Sequence, residues 1–178
     1  MRDILIVSDM QTDFISGVLG TPEALAALPR VIDRVRAFTG PVLFIRDTHG
    51  PDYLDTQEGS LLPVRHCAEG SEGWMIHPEL EALRVLPVID KSAFGSLELG
   101  LLLRDMNREE KVRSITIIGL CTDFCVISNA LIAKAALPEA RIIVDAACCA
   151  GATPEGHRVA LSAMKTCQVI IENELPLS

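Results

Sequence analysis

Six short segments rich in Ile, Val and Leu, separated by stretches of helical periodicity, constrain the fold of this chain more than any other feature. They lie at residues 4–8, 41–46, 85–89, 115–119, 141–144 and 169–172. Unbroken apolar runs of this length suit strands buried on both faces of a parallel sheet. Between them, residues 97–107, 123–136 and 154–165 carry the period of amphipathic helices. A further helix is expected to start at Pro22 behind Thr21 as its cap, with Leu25, Leu28, Ile32, Val35 and Phe38 along one side. Strand–helix–strand repetition implies right-handed crossovers and helices on both sheet faces. The expected class is α/β: a single domain spanning 1–178, built as a three-layer α/β/α sandwich with a mostly parallel, doubly wound sheet. In such a sheet the reactive groups gather at the carboxyl ends of the strands. Residues 47–78 break the rhythm. They are rich in glycine and proline, and an irregular loop of that length inside a domain usually serves function.

Charge and composition narrow the partners. A net charge of -8 and only 4% aromatic residues leave no basic surface or stacking platform for nucleic acid. No apolar run approaches the roughly 20 residues of a membrane span. The first strand begins too early for a secretory leader, so a cytoplasmic protein with reduced thiols is expected. Of the six cysteines, Cys67, Cys148, Cys149 and Cys167 are read as packing residues, and His157 as a residue on a helix surface.

Cys125 stands apart. It follows the strand at 115–119, where Gly119 permits a tight turn into a helix. In a helix's first turn, free N–H groups and the positive end of the dipole favour a thiolate and could hold an oxyanion. By position alone, packing would still be the commoner role of such a cysteine. Its company changes the balance. Asp9 ends the first strand and Lys91 follows the third, so both emerge at the edge where Cys125 emerges. A carboxylate can take a thiol proton, and an ammonium can stabilise both anions.

These residues carry a resemblance. Asp9-x-Gln11-x-Asp13-Phe14, Lys91, and Gly119-x-x-Thr122-Asp123-x-Cys125-Val126 occur in the order found in the isochorismatase-like cysteine hydrolases, which include nicotinamidases. The resemblance spans nearly the whole chain. It implies a catalytic triad of Asp9, Lys91 and Cys125, a cis peptide just before Cys121, and an oxyanion hole from the backbone N–H groups of Cys121 and Cys125. It also implies that Phe14 stacks on a flat substrate ring, where the residue type alone is equally compatible with core packing.

Asp47 and His49 form a candidate metal pair, because residues two apart on an extended chain project to one side. Carboxylate and imidazole suit zinc, manganese or iron. Nicotinamidases carry such a pair with further ligands, and the resemblance adds Glu58 and His66, with Asp52 and Asp55 as competitors for the position of Glu58. It leaves His77 without a ligand role. The segment before His66 holds no tryptophan where many nicotinamidases have one. The expected function is hydrolysis of a planar heteroaromatic amide such as nicotinamide, through a thioester, by a homo-oligomer using a transition metal, zinc foremost. The alternatives are another reaction of the superfamily, on a carbamoyl, ureido or vinyl ether compound, and a thiol redox or sensor protein using Cys121 and Cys125.

Overall fold

In the computed structural model, which describes residues 1–174, the apolar runs pair as one six-stranded sheet in which every pairing is parallel. In chain order the elements are β1 (Arg2–Ser8), α1 (Thr12–Ile15), α2 (Pro22–Ala37), β2 (Val42–Asp47), α3 (Gln57–Leu61), α4 (Pro78–Glu81), β3 (Ile89–Lys91), α5 (Leu97–Glu109), β4 (Val112–Leu120), α6 (Ile127–Ala136), β5 (Arg141–Ala150), α7 (Pro154–Thr166) and β6 (Ile170–Glu172). The strand order is β3-β2-β1-β4-β5-β6. The order therefore reverses between β1 and β4, and the crevice outside their carboxyl ends is where ligands bind in such sheets.

Alternation along each strand feeds two cores. On β1, Ile4 and Ile6 join Leu99, Leu103, Ala130, Ala133, Leu161 and Met164 from α5, α6 and α7. Leu5 and Val7 face Phe14, Ala24, Ala27, Val31 and Leu80 from α1, α2 and α4. Helices thus cover both faces, as the three-layer expectation requires. Thr21, Ser96 and Thr153 cap α2, α5 and α7 by accepting from a backbone N–H three residues on.

Four details differ from the sequence expectation. The third strand lies at Ile89–Lys91 and not at 85–89; Pro87 has no N–H for a ladder, and Val85 is 90% exposed. Helix α2 buries Ala24, Ala27 and Val31 beside Ile32 and Val35, while Leu25 points outward. β5 continues to Ala150, so Cys148 and Cys149 lie within it, on opposite faces. Between the pairs Ile117↔Val144 and Gly119↔Cys149, β4 advances two residues (117 to 119) and β5 advances five (144 to 149), a bulge that lets β5 extend. The fourth concerns 47–78, which is not structureless: Tyr53–Asp55 forms a 3₁₀ turn and α3 follows it. Cys67 is buried as expected, whereas Cys167 is exposed. No helix among the described residues is long and apolar enough to cross a membrane.

Candidate active site

The carboxyl ends of β1, β2, β3 and β4 bring one buried cluster together. Asp9 follows β1 with a left-handed backbone (φ 51°), a region that Asp enters more readily than most residues, and its side chain is fully buried. Ser8 Oγ donates to Asp9 Oδ2 at 2.9 Å, and Lys91 Nζ lies 3.2 Å from the same oxygen. Lys91 is the last residue of β3. Its Nζ also donates to Asp47 Oδ1 at 3.0 Å and to Cys125 Sγ at 3.5 Å. One ammonium therefore bridges two carboxylates and the thiol.

Burial decides the protonation states. It pushes the Asp9 carboxyl up to about 6, with Lys91 opposing the rise and Asp47 adding to it. Burial and the Asp9 carboxylate push the Cys125 thiol well above its ordinary range. For Lys91, burial disfavours the ammonium, but Asp9, Cys125 and Asp47 outweigh it and hold the charge. At neutral pH the cluster is a thiol, a carboxylate and an ammonium. Burial and the neighbouring Asp9 carboxylate thus oppose the thiolate that a helix N-terminus was expected to favour.

Cys125 sits in a π-helical turn, Thr122–Val126, entered through a cis Leu120–Cys121 peptide, the isomer anticipated from the resemblance. Cys121 O accepts from the N–H groups of Phe124 and Val126, both at 3.1 Å. Two side chains of the turn tie it to the start of α7. Thr122 Oγ1 and His157 Nδ1 are 2.7 Å apart, and Asp123 Oδ1 accepts from Ala152 N at 3.0 Å. His157 is consequently half-buried and hydrogen-bonded, not the free surface residue its helical setting suggested.

Asp47, His49, Glu58 and His66 offer ligand atoms that all lie within 4.8 Å of one another. Asp47 Oδ2 is 2.9 Å from His49 Nε2 and 3.5 Å from His66 Nε2. His66 Nδ1 donates to Val64 O at 2.8 Å, leaving Nε2 to face the cluster. Glu58 Oε1 lies 3.8 Å from His49 Nε2, buried and without a hydrogen-bond partner. An orphaned buried carboxylate oxygen facing two imidazoles is what a cation would satisfy, so this donor set fits a divalent transition metal. Asp52 and Asp55, the competitors, are exposed and outside the group.

A cavity of about 660 Å³ opens over the cluster, with Cys121, Cys125, Asp47, Glu58, His66 and Phe14 among its lining. Phe14 is buried and meets His66 edge-on at 5.5 Å between centroids. Several contributors were not legible beforehand. Gln11 Nε2 donates to Asp47 O and Oε1 accepts from Asp47 N, both at 2.8 Å, which clamps Asp47 between metal group and lysine. Asp13 Oδ2 accepts from Cys67 N at 2.8 Å and anchors the segment after His66. Asn129 is buried in α6 and receives Ser96 N at 2.9 Å. Their only sequence signal is polarity within motifs or an otherwise apolar helix. Trp74, the chain's one tryptophan, donates to Thr48 Oγ1 at 2.8 Å and stacks under Arg46, away from the cavity lining.

An open parallel sheet whose switch point holds a cavity lined by the Cys125 thiol, with the Lys91 ammonium and the Asp9 carboxylate buried beside that thiol, defines an α/β enzyme. Comparison with known proteins specifies it further. The Isochorismatase domain family matches residues 3–174. The chain is 30% identical to the nicotinamidase/pyrazinamidase of Mycobacterium tuberculosis, over 95% of this chain and 97% of that protein. Among solved structures, the nicotinamidase/pyrazinamidase of Bacillus subtilis superposes with a TM-score of 0.80 at 25% identity, covering 97% of this chain and 100% of that one. The pyrazinamidase of Pyrococcus horikoshii, solved in complex with zinc, superposes with a TM-score of 0.78 at 26% identity, covering 96% and 98%. The chain belongs to the isochorismatase family and is a hydrolase.

Proposed function

We propose that the protein hydrolyses a small planar ring amide, nicotinamide being the reference substrate, with Cys125 as nucleophile, Asp9 as general base and acid, and Lys91 as electrostatic support. The observation that carries this reading is the contact of Lys91 Nζ with Asp9, Asp47 and Cys125 at 3.2, 3.0 and 3.5 Å. Lys91 donates to the sulfur, so the S–H is free to point at Asp9. Asp9 removes that proton as sulfur bonds to the amide carbon, and the backbone N–H groups of Cys121 and Cys125 receive the oxyanion. The tetrahedral intermediate collapses with loss of ammonia, which takes its proton from Asp9. Water then attacks the thioester, giving up a proton to Asp9, and the departing sulfur regains one as the carboxylic acid leaves. Phe14 supplies an apolar face to the ring.

Asp47, His49, Glu58 and His66 would hold the metal, and the zinc bound by the Pyrococcus horikoshii relative supports zinc as the first choice. Bound there, the ion supplies a Lewis-acid contact for a ring nitrogen or a water beside the substrate. The test is ammonia release from nicotinamide. Cys125→Ala should lower kcat on the order of 10⁴-fold or more while its thermal unfolding stays cooperative. Substantial turnover by a folded Cys125→Ala variant would refute the nucleophile.

A further inference from the structure

The cavity is larger and more apolar than a single ring with a carboxamide needs. Its lining includes Cys125 and the group Asp47, Glu58 and His66, and also an apolar wall of Leu61, Phe94 and Phe124, which are 76%, 39% and 41% exposed. Exposed apolar side chains are unremarkable singly. Three of them, from three separate segments, line one cavity, and exposed apolar surface gathered at a cavity is of the kind that marks a binding site. At about 660 Å³ the space falls within the roughly 300–1,000 Å³ of sites that enclose drug-sized ligands.

This wall is held in place. Phe94 and Phe124 pack against each other with ring centroids 5.2 Å apart and planes tilted by 57°. Asn129 accepts from Ser96 N and donates to Phe94 O at 3.4 Å, gripping the backbone on both sides of Gly95. A Cβ at Gly95 would come within 2.5 Å of Ile132 Cδ1, so this loop lies hard against α6. Leu61 ends α3, whose next residue accepts from Tyr53 Oη at 2.9 Å through Leu62 O. Among the described residues no lysine or arginine lines the cavity. A carboxylate carried on the far side of the substrate would find no counter-ion there, whereas a hydrocarbon would find three partners.

We propose that Leu61, Phe94 and Phe124 form a subsite for an apolar substituent on the substrate ring, so that the preferred substrate is a ring amide extended by an alkyl or aryl group. This rests on the amidase reading for the position of the amide, and the experiment separates the two. Nicotinamide is compared with analogues bearing methyl, propyl and phenyl groups at C5, the ring carbon adjacent neither to the ring nitrogen nor to the carbon that bears the carboxamide. Dissociation constants are measured by calorimetry on the Cys125→Ser variant, and kcat/KM on the intact enzyme. Binding and kcat/KM should each improve about fourfold per added methylene, and Leu61→Ala and Phe124→Ala should each reduce that gain. Affinity that stays flat or weakens along the series overturns the subsite. Tighter binding with falling kcat/KM overturns it as a determinant of substrate choice. Tighter binding with no ammonia released from any member leaves the subsite standing and removes the amidase reading alone.

Discussion

Asp9 and Lys91 show how burial sets chemistry one residue at a time. With its carboxyl pushed up to about 6, Asp9 is ionised at neutral pH yet basic enough to accept a thiol proton. Because the reaction needs the carboxylate, activity is present above that pKa and lost below it. The kcat/KM profile should be level above about pH 6 and fall tenfold per pH unit beneath, and a profile flat to pH 5 would exclude Asp9 as base. Lys91 is the cation that keeps Asp9 ionised against burial and Asp47. Lys91→Met should therefore move the acid limb to higher pH and, by stranding two buried carboxylates, cost about 3–5 kcal/mol of stability. Denaturant titration and a pH profile measure both, and an unmoved limb would show that Lys91 does not tune Asp9.

At the scale of elements, the junction of β1 and β4 is the tightest point of the site. Gly119 pairs with Ser8, has a φ of 114°, and a Cβ there would meet Ser8 O at 2.1 Å. Its glycine serves the close approach of two strands as much as the turn into the next helix. Gly70 also has a positive φ, 78°, but open space around it. Gly70→Ala should cost about 1 kcal/mol from backbone strain, whereas Gly119→Ala adds a steric clash and should cost clearly more, about 3 kcal/mol or beyond. Thermal unfolding of both variants checks the order. The position of Gly119 after an apolar run was readable in the sequence, but its collision partner came from a residue 111 positions away (119 minus 8), which no local pattern shows.

For the whole molecule, the metal group joins β2 to the irregular segment that forms one wall of the cavity. Asp47 ends β2 and His49 follows it by two residues, while Glu58 and His66 come from further along that segment, so a bound ion would tie it to the strand end. An ion that binds only the folded state stabilises by about 2.7 kcal/mol at a hundredfold excess over Kd, a rise in Tm of roughly 5–10 °C for a chain of this size. Zinc added to chelator-treated protein should raise Tm by that amount, and Glu58→Ala together with His66→Ala should remove most of the rise. No shift in the unsubstituted protein would mean that the four side chains hold each other and not a metal.

The sequence by itself determined the element order, the parallel sheet and the edge at which Asp9, Lys91 and Cys125 emerge, because apolar periodicity is a local property and strand ends follow from it. It also brought Asp47 and His49 to one side of an extended chain. The tertiary structure alone decided that the third strand yields to Pro87, that β5 bulges past Asp145, and that Gln11, Asp13 and Asn129 hold the site from behind. It decided too that burial and Asp9 push the Cys125 thiol upward, and that Leu61, Phe94 and Phe124 line one cavity. Those outcomes depend on distance and burial between segments remote in the chain. Electrostatic energies and cavity volumes are set by such distances, and residue order does not contain them.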